Sequence, residues 1–283
     1  MGTVVTIEVV QSGTDAEAAM DRAFGWFSEI EARCTRFDEQ SELMQLCAQT
    51  GEPVEPTPLL YEAVRFALTV AEETGGAFDP TVGGRMEARG FNREHRTGVV
   101  VRKRDAGSDD VSYRDVVVDP GRRTVMLRRP LTLDLGAVAK GLAIDTAARE
   151  LQPFRDFAID AGGDLYLGGL SRDGAAWSVG IRHPRRDRET IDVLRVSNKA
   201  VCTSGDYERP DHIVDSRAGA RASAVASATV VAPSAMLADA LATAAFVLGP
   251  EDGLDLLART GVEGLIVTRE LERYETAGLR DVA

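Results

Sequence analysis

The sequence predicts an α+β fold in a single domain over residues 1–283, with a mixed or antiparallel sheet and helices packed against it. Short runs rich in β-branched residues recur along the chain, and such runs are typical of strands. Longer segments with apolar residues at helical spacing lie between them. Neither an internal repeat nor a linker divides the chain, so we expect one domain.

The composition excludes several classes of protein. Hydrophobic residues make up 44% of the chain and charged residues 28%, as in soluble globular proteins. The net charge of −12 and the lack of an obvious basic face argue against nucleic-acid binding. The three cysteines, Cys34, Cys47 and Cys202, are too few for a disulfide framework, so we expect free thiols. No apolar run reaches the length of a membrane span and no signal peptide is apparent, which favours the cytoplasm.

The first part of the chain is predicted to contain one strand and then helices. Residues 3–10 (TVVTIEVV) form the strand. Thr14 is predicted to cap a helix whose apolar face includes Phe24 and Phe27. Residues 37–43 form a turn into a short second helix.

A rigid loop is predicted after a third helix. That helix begins at Thr57 or Pro58, and Gly75-Gly76 ends it. Glycine pairs flank the Phe-Asp-Pro-Thr run at residues 78–81, which indicates a stiff segment that approaches other backbone closely. The segment is either a structural turn or one wall of a binding pocket.

A polar stretch and a hairpin follow. Residues 92–112 predict a loop or mobile insertion in which His95 is solvated. Residues 115–119 and 124–127 predict a hairpin, because the Pro-Gly pair between them favours a turn.

Residues 131–151 (LTLDLGAVAKGLAIDTAAREL) predict a strand, a tight turn at Gly136 and a helix from Ala137. A helix N-terminus offers unpaired N–H groups and a partial positive charge, which suits an anionic ligand. Asp134 and Lys140 flank the turn. Taken alone, the stretch is equally an ordinary strand-to-helix connection with a surface lysine.

The second half of the chain is predicted to alternate strands with two C-terminal helices. The helices cover residues 233–249 and 250–258. The strands lie at residues 157–159, 165–167, 177–182, 228–231 and 264–268. Residues 200–207 are predicted as a strand that runs into a polar turn, and residues 212–215 as a short extended segment.

Two groups of residues are candidates for chemistry. Asp239 and Thr243 lie four apart on a predicted helix, so their oxygens and a carbonyl near Ala137 form a partial shell for Mg²⁺. Spacing alone favours the alternative that Asp239 faces solvent near the helix start. His212 is a candidate base, although a hydrogen-bonded structural histidine is the better interpretation of its local sequence.

Eight separated segments together resemble the ApbE family of FAD:protein FMN transferases, in the order found in that family. They are MGT (1–3), SEL (41–43), GGAFDPTVG (75–83), LDLGAVAKG (133–141), DAGGD (160–164), TSGDYER (203–209), HIVDSRAG (212–219) and MLADALATA (236–244).

The resemblance implies a fold related to the tunnelling fold and a transferase of a phosphorus-containing group. Members of the family bind FAD and Mg²⁺ and move the FMN moiety to a threonine or serine hydroxyl of a target flavoprotein, with release of AMP. The negative net charge is compatible with this, because the metal supplies a local counter-charge. No nucleic acid and no membrane span is expected as part of this function.

The resemblance also implies roles for individual residues. His212 matches the histidine that acts as base on the acceptor hydroxyl. The backbone oxygen of Ala137, with Asp239 and Thr243, matches the metal shell. Seven positions match the FAD site: Met1, Ala77, Phe78, Asp79, Asp134, Lys140 and Ile213.

The sequence departs from the family pattern after His212, where Ser216 and Ala218 replace a common proline and threonine. This change affects the loop expected to recognise the acceptor. Two alternatives to protein flavinylation therefore stay open: hydrolysis of FAD to FMN and AMP, and FAD binding without turnover. Many relatives carry a lipoprotein signal and act outside the cytoplasm, whereas none is apparent here.

Overall fold

The computed structural model describes residues 2–11, 13–93, 98, 100, 110–206, 213–217 and 224–282. Most of the predicted loop at residues 92–112, with His95, lies outside these residues. The same holds for Met1 and His212.

The helices and strands follow the predicted α+β alternation. The helices are α1 (Thr14–Cys34), α2 (Glu42–Cys47), α3 (Pro58–Glu73), α4 (Gly83–Ala88), α5 (Gly136–Leu151), α6 (Ala235–Leu248) and α7 (Pro250–Thr260). The strands are β1 (Val5–Val9), β2 (Val116–Asp119), β3 (Thr124–Leu127), β4 (Phe157–Ala161), β5 (Asp164–Gly168), β6 (Trp177–Arg182), β7 (Thr190–Val196), β8 (Lys199–Gly205), β9 (Val225–Ala232), β10 (Glu263–Thr268) and β11 (Arg273–Glu275).

The main sheet of the described residues has seven strands in the order β1-β4-β5-β8-β9-β10-β11. Every neighbouring pair is antiparallel, so the predicted α+β class with an antiparallel sheet is confirmed. Two separate hairpins, β2–β3 and β6–β7, flank it, and the first is the hairpin predicted around the Pro-Gly turn.

The main sheet is covered on both faces. Side chains alternate between the faces of a strand, and adjacent residues of β9 show this directly. Val230 belongs to the large core formed with the helices, whereas Val231 belongs to a second core formed with β6, β7 and the C-terminal turn Leu279–Asp281. All eight residues of β9 are therefore buried, which explains its nearly continuous run of apolar and small residues.

The start of α1 differs from the prediction. Gly13, and not Thr14, occupies the N-cap, and no side chain caps this helix. Phe24 is 40% exposed, because the inward face consists mainly of small residues that allow α1 to pack closely on α5. The buried residues of α1 are Ala16, Ala19, Ala23, Phe27, Ile30 and Cys34.

The strand predicted at residues 131–135 is wrong. These residues form neither a helix nor a strand and join no sheet. The N–H groups of Leu133 and Asp134 donate instead to Cys47 Sγ (3.4 Å) and to the Pro80 carbonyl (2.7 Å). Thr132 is also buried, so the alternating pattern does not separate a core face from a solvent face.

Strand β7 was not predicted from the sequence, because its TIDVLRV run is interrupted by the charged residues Asp192 and Arg195. The three cysteines are buried free thiols. Among the described residues, no helix has both the length and the hydropathy needed to cross a membrane.

Helices α5 and α6 cross at very short distance. A Cβ atom added to Gly141 would lie 2.5 Å from the backbone nitrogen of Met236, so only glycine fits. One turn further along α5, Asp145 accepts hydrogen bonds from the N–H groups of Ala235 (2.7 Å) and Met236 (3.0 Å). The Asp145 carboxylate therefore caps α6, and burial raises its pKa despite these two bonds.

We expect Gly141→Ala to destabilise the protein by about 2–3 kcal/mol, because the added methyl group meets rigid backbone and overpacks the helix crossing. Gly84→Ala is the matched control, since a Cβ there meets nothing within 4 Å. Its effect should stay below about 1 kcal/mol. Urea unfolding followed by circular dichroism measures both values. Equal stabilities of the two variants would contradict the close crossing.

Candidate functional site

The Asp134 side chain fixes the segment that leads into the N-terminus of α5. Its Oδ1 accepts a hydrogen bond from the N–H of Gly136, the first residue of the helix (2.8 Å). Its Oδ2 accepts from Nε of Arg36 at 2.6 Å. Both carboxylate oxygens therefore have partners, and the first turn of α5 is held in a defined orientation.

The glycine-flanked loop packs directly against this segment. Asp79 is buried, and its Oδ1 accepts from the N–H (2.9 Å) and hydroxyl (2.7 Å) of Thr81. Its Oδ2 accepts from the N–H of Tyr113 at 3.2 Å. A Cβ on Gly83 would lie 2.5 Å from the Thr132 carbonyl oxygen, so the backbones touch there. Asp79 thus stabilises the loop.

This geometry bears on the two interpretations that the sequence left open for the loop at residues 77–84. The loop is a structural turn, and it also places buried Ala77 and Phe78 in the same region as Asp134. Both interpretations of the pattern are therefore compatible with the structure.

The segment around Ile213 reaches the same loop from the other end of the chain. Ser216 donates its hydroxyl to the Gly76 carbonyl at 2.8 Å. Arg85 Nη1 donates to the Ser216 carbonyl at 2.6 Å. Ile213 itself is partly buried against the main core. Thus Ser216, where the sequence departs from the family pattern, links the two segments.

A charged cluster with two buried carboxylates and a half-buried lysine lies beside the first turns of α5. Lys140 forms an ion pair with the Asp164 carboxylate, which is almost completely buried. Asp164 Oδ1 also accepts from the N–H of Thr203 on β8 at 3.1 Å. Burial alone would lower the pKa of Lys140, but attraction to Asp239 and Asp164 outweighs it and raises this pKa well above its usual range. Lys140 therefore carries a positive charge between two carboxylates.

Asp239 faces the protein interior, so the interpretation that it faces solvent is wrong. Its exposed fraction is 5%, because α6 packs against both α5 and the main sheet. Thr243, one turn further on, has its hydroxyl 3.1 Å from that of Ser204 on β8. A buried carboxylate in this position belongs to a polar site.

Ala137 shares a helical face with Gly141 and Asp145, the residues of α5 that contact α6. Asp145 contacts Ala235 and Met236, Gly141 contacts Met236, and Lys140 attracts Asp239. Later residues of α5 thus contact the start of α6, and earlier residues of α5 lie near later residues of α6, so the two helices are antiparallel. One further turn brings Ala137 toward the stretch of α6 that contains Asp239 and Thr243.

The protein-family model described as "ApbE family" matches residues 1–266 of the chain. The chain belongs to the ApbE family.

Curated relatives support the assignment. An FAD:protein FMN transferase of Treponema pallidum (strain Nichols) is 33% identical over 316 residues, covering 99% of this chain and 86% of the relative. A protein of the same name from Vibrio cholerae is 28% identical over 290 residues, covering 95% of this chain and 85% of the relative.

Solved structures agree with the fold. The ApbE protein of Thermotoga maritima superposes with a TM-score of 0.86 at 30% identity, covering 98% of this chain and 94% of that one. The flavin transferase ApbE from Vibrio cholerae gives 0.85 at 26% identity, covering 99% and 96%. The predicted resemblance and its ApbE-like architecture are therefore confirmed.

The ApbE site residues inferred from the sequence fall into two groups in the structure. One group lies along the loop and the start of α5, and the other on the facing turns of α5 and α6. Met1 and His212 lie outside the described residues. Two residues that pair with these side chains were not singled out from the sequence: Asp164, which closes the DAGGD segment and pairs with Lys140, and Arg36, which pairs with Asp134.

The donors at the second group suit a hard cation. Asp239 supplies a carboxylate, Thr243 a hydroxyl and Ala137 a backbone carbonyl, and oxygen ligands of these kinds are preferred by Mg²⁺. Within the described ranges, no group of three His, Cys, Asp or Glu side chains forms a metal cluster. A soft metal that requires thiolates or several imidazoles does not match these donors.

Proposed function

We propose that this flavin transferase uses Mg²⁺ to transfer the FMN moiety of FAD to a threonine or serine hydroxyl of an acceptor flavoprotein, with release of AMP. The chain is an FAD:protein FMN transferase by its family and by its curated relatives. FAD is accordingly its substrate and a flavoprotein its acceptor. The dependence on Mg²⁺, the acceptor hydroxyl and the residue roles are the new parts of the proposal.

The observation that carries this proposal is the charged cluster next to the N-terminus of α5. Lys140 is held protonated beside the first helical turn, where the partial positive charge of the helix N-terminus also favours an anion. The diphosphate of FAD has two neighbouring anionic phosphates and fits such a position. Lys140 would bind one phosphate, and Asp164 would keep its ammonium group in place.

The rest of the FAD molecule would extend along the neighbouring loop. Ala77, Phe78 and Asp79, which are buried, would form one wall, with Asp134 at its end. Ile213 would approach from the segment linked through Ser216. Phe78 is apolar and nearly buried, as the walls of ligand pockets usually are. Met1 would complete this side of the site, in line with the family pattern.

Mg²⁺ would be held by the Ala137 carbonyl, Asp239 and Thr243. When bound, the ion neutralises charge on the phosphate oxygens and stabilises the departing AMP. Asp239 is the one carboxylate among these three ligands. Lys140 lies close enough to Asp239 to attract it, so the two groups would act on the same phosphates.

The transfer itself requires a base and an in-line hydroxyl. His212 would accept the proton of the acceptor hydroxyl as its oxygen attacks the phosphorus of the FMN moiety. A new P–O bond forms with the acceptor, the P–O bond to AMP breaks, and AMP leaves. The proton would thus pass to His212, the phosphate of FMN would stay on the acceptor, and the other phosphate would leave in AMP.

The test uses the full chain with FAD and Mg²⁺, with and without a flavoprotein fragment that carries an acceptor threonine. We expect AMP release together with a flavin-fluorescent acceptor band that survives denaturation. A fragment with that threonine changed to alanine is the control and should stay dark. AMP with free FMN and no labelled acceptor would instead establish FAD hydrolysis. Bound FAD that remains intact would establish a binding protein.

A further inference from the structure

Arg36 is a buried arginine just beyond the end of α1, far in sequence from the residues assigned to FAD. Its exposed fraction is 5%. Its guanidinium group lies over the ring of Phe37, 4.2 Å from the centroid, and its Nε donates to Asp134 Oδ2. The side chain is thus oriented by a stacking contact and by a charged hydrogen bond.

Through Asp134, Arg36 is connected to the start of α5. The other oxygen of Asp134 accepts from the N–H of Gly136, and the backbone N–H of Asp134 donates to the Pro80 carbonyl (2.7 Å). Three segments therefore meet at one residue, Asp134: the end of α1 and the N-terminus of α5 through its carboxylate, and the loop before α4 through its backbone N–H. Movement of Asp134 would disturb the loop and the helix together.

The charge of Asp134 also matters to the ligand. Without a cation beside it, this carboxylate would repel the diphosphate and would weaken the attraction of the helix N-terminus for an anion. Arg36 cancels that charge at 2.6 Å. Its Nη1 is buried and has no hydrogen-bond partner among the described residues. Since buried donors are almost always satisfied, this nitrogen is suited to an acceptor that arrives with the ligand or its water.

We propose that Arg36 is a positioning residue of the FAD site, which holds the Asp134 carboxylate in place and neutralises it beside the N-terminus of α5. The inference rests on the proposed function, because it takes the α5 start as the place of the FAD diphosphate. Arg36 would act on the FAD site through the side chain of Asp134.

The experiment measures FAD binding apart from turnover. FAD is titrated by flavin fluorescence in the presence of EDTA, and kcat and KM are then measured with Mg²⁺. Arg36→Met should weaken FAD binding by about 10-fold or more, the effect of an uncompensated charge several ångströms from the diphosphate. The value of kcat at saturating FAD should change by less than about 3-fold, since the reacting groups are intact.

A double variant separates neutralisation from a merely structural role. In Arg36→Met with Asp134→Asn the bare charge is gone, while the amide oxygen still accepts from Gly136. We expect FAD binding at least about 3-fold tighter than in Arg36→Met alone, a coupling typical of contacting charges. A double variant as weak as or weaker than Arg36→Met would overturn the proposal.

Two further variants complete the experiment: one in case Arg36→Met does not fold, and one as a control for the loss of an arginine. Arg36→Lys keeps the charge but loses the stack on Phe37 and the donor fork, so its FAD binding should weaken by less than about 10-fold. If Arg36→Met fails to fold, Arg36→Lys still decides, because a 10-fold loss in this variant would overturn the proposal. Arg22→Met removes the exposed ion pair with Glu150 and should leave FAD binding unchanged.

The outcomes distinguish this inference from the proposed function. A wild-type protein that binds FAD but releases no AMP would refute transfer and would leave the binding test of Arg36 intact. An active enzyme whose Arg36→Met variant binds FAD as tightly as the wild type would refute the role of Arg36 alone.

Discussion

Replacing Asp239 by asparagine is expected to reduce the rate of FMN transfer by about 1000-fold, because a bound metal contributes several kcal/mol of charge stabilisation to the transition state. The asparagine would keep the shape of the side chain but would lose the one carboxylate among the proposed metal ligands. The measurement is AMP release at saturating FAD and acceptor over a series of Mg²⁺ concentrations.

The control for Asp239→Asn is Asp255→Asn. Asp255 is an exposed carboxylate on α7, so the variant has the same chemical change outside the charged cluster. It should retain wild-type transfer and wild-type dependence on Mg²⁺. Removal of metal by EDTA should stop the wild-type reaction in the same way. If Asp239→Asn keeps full metal-dependent turnover, the assignment of this ligand is wrong.

Replacing Lys140 by methionine is expected to impair both stability and transfer. Its ammonium group compensates two buried carboxylates, Asp164 and Asp239. Without it, these charges repel each other in a region poor in water, and we expect a loss of about 3 kcal/mol in the free energy of unfolding. FAD binding should weaken at the same time, because the phosphates lose their cationic partner. Urea unfolding and fluorescence titration measure the two effects.

A second substitution separates the two consequences of losing Lys140. Asp164→Asn in the Lys140→Met background removes one of the two repelling charges, so more than half of the lost stability should return, as coupled neighbours require. FAD binding and transfer should stay low, because no cation is restored. Recovery of transfer in the double variant would show that Lys140 acts only by balancing buried charge.

Many elements were predictable from local chemistry. Pro58 at the start of α3, the Pro-Gly turn of the first hairpin and Ser234 before α6 place boundaries through short-range effects, and the structure agrees. In α6, Ser234 accepts from the N–H of Leu237 as an N-cap. Such signals depend on a few adjacent residues, so the sequence contains them in full.

Other features depended on partners that are distant in the sequence. The alternating pattern at residues 131–135 resembles a strand, but a strand exists only where another backbone pairs with it, and here none of the described strands does. Arg36 and Asp134 are separated by 98 positions, so no window of the sequence reveals their ion pair. The burial of Asp239 likewise depends on α5 and the main sheet, which cover its helix face.

The sequence alone was sufficient for the α+β class, the order of most helices and strands, and the family resemblance with its candidate residues. These follow from local periodicity, turn chemistry and motif order, which are properties of neighbouring residues. The tertiary structure decided that Lys140, Asp164 and Asp239 form one charged cluster beside α5 and that Arg36 neutralises Asp134. Burial and electrostatic attraction depend on distances in space, and only the packed helices and sheet set those distances.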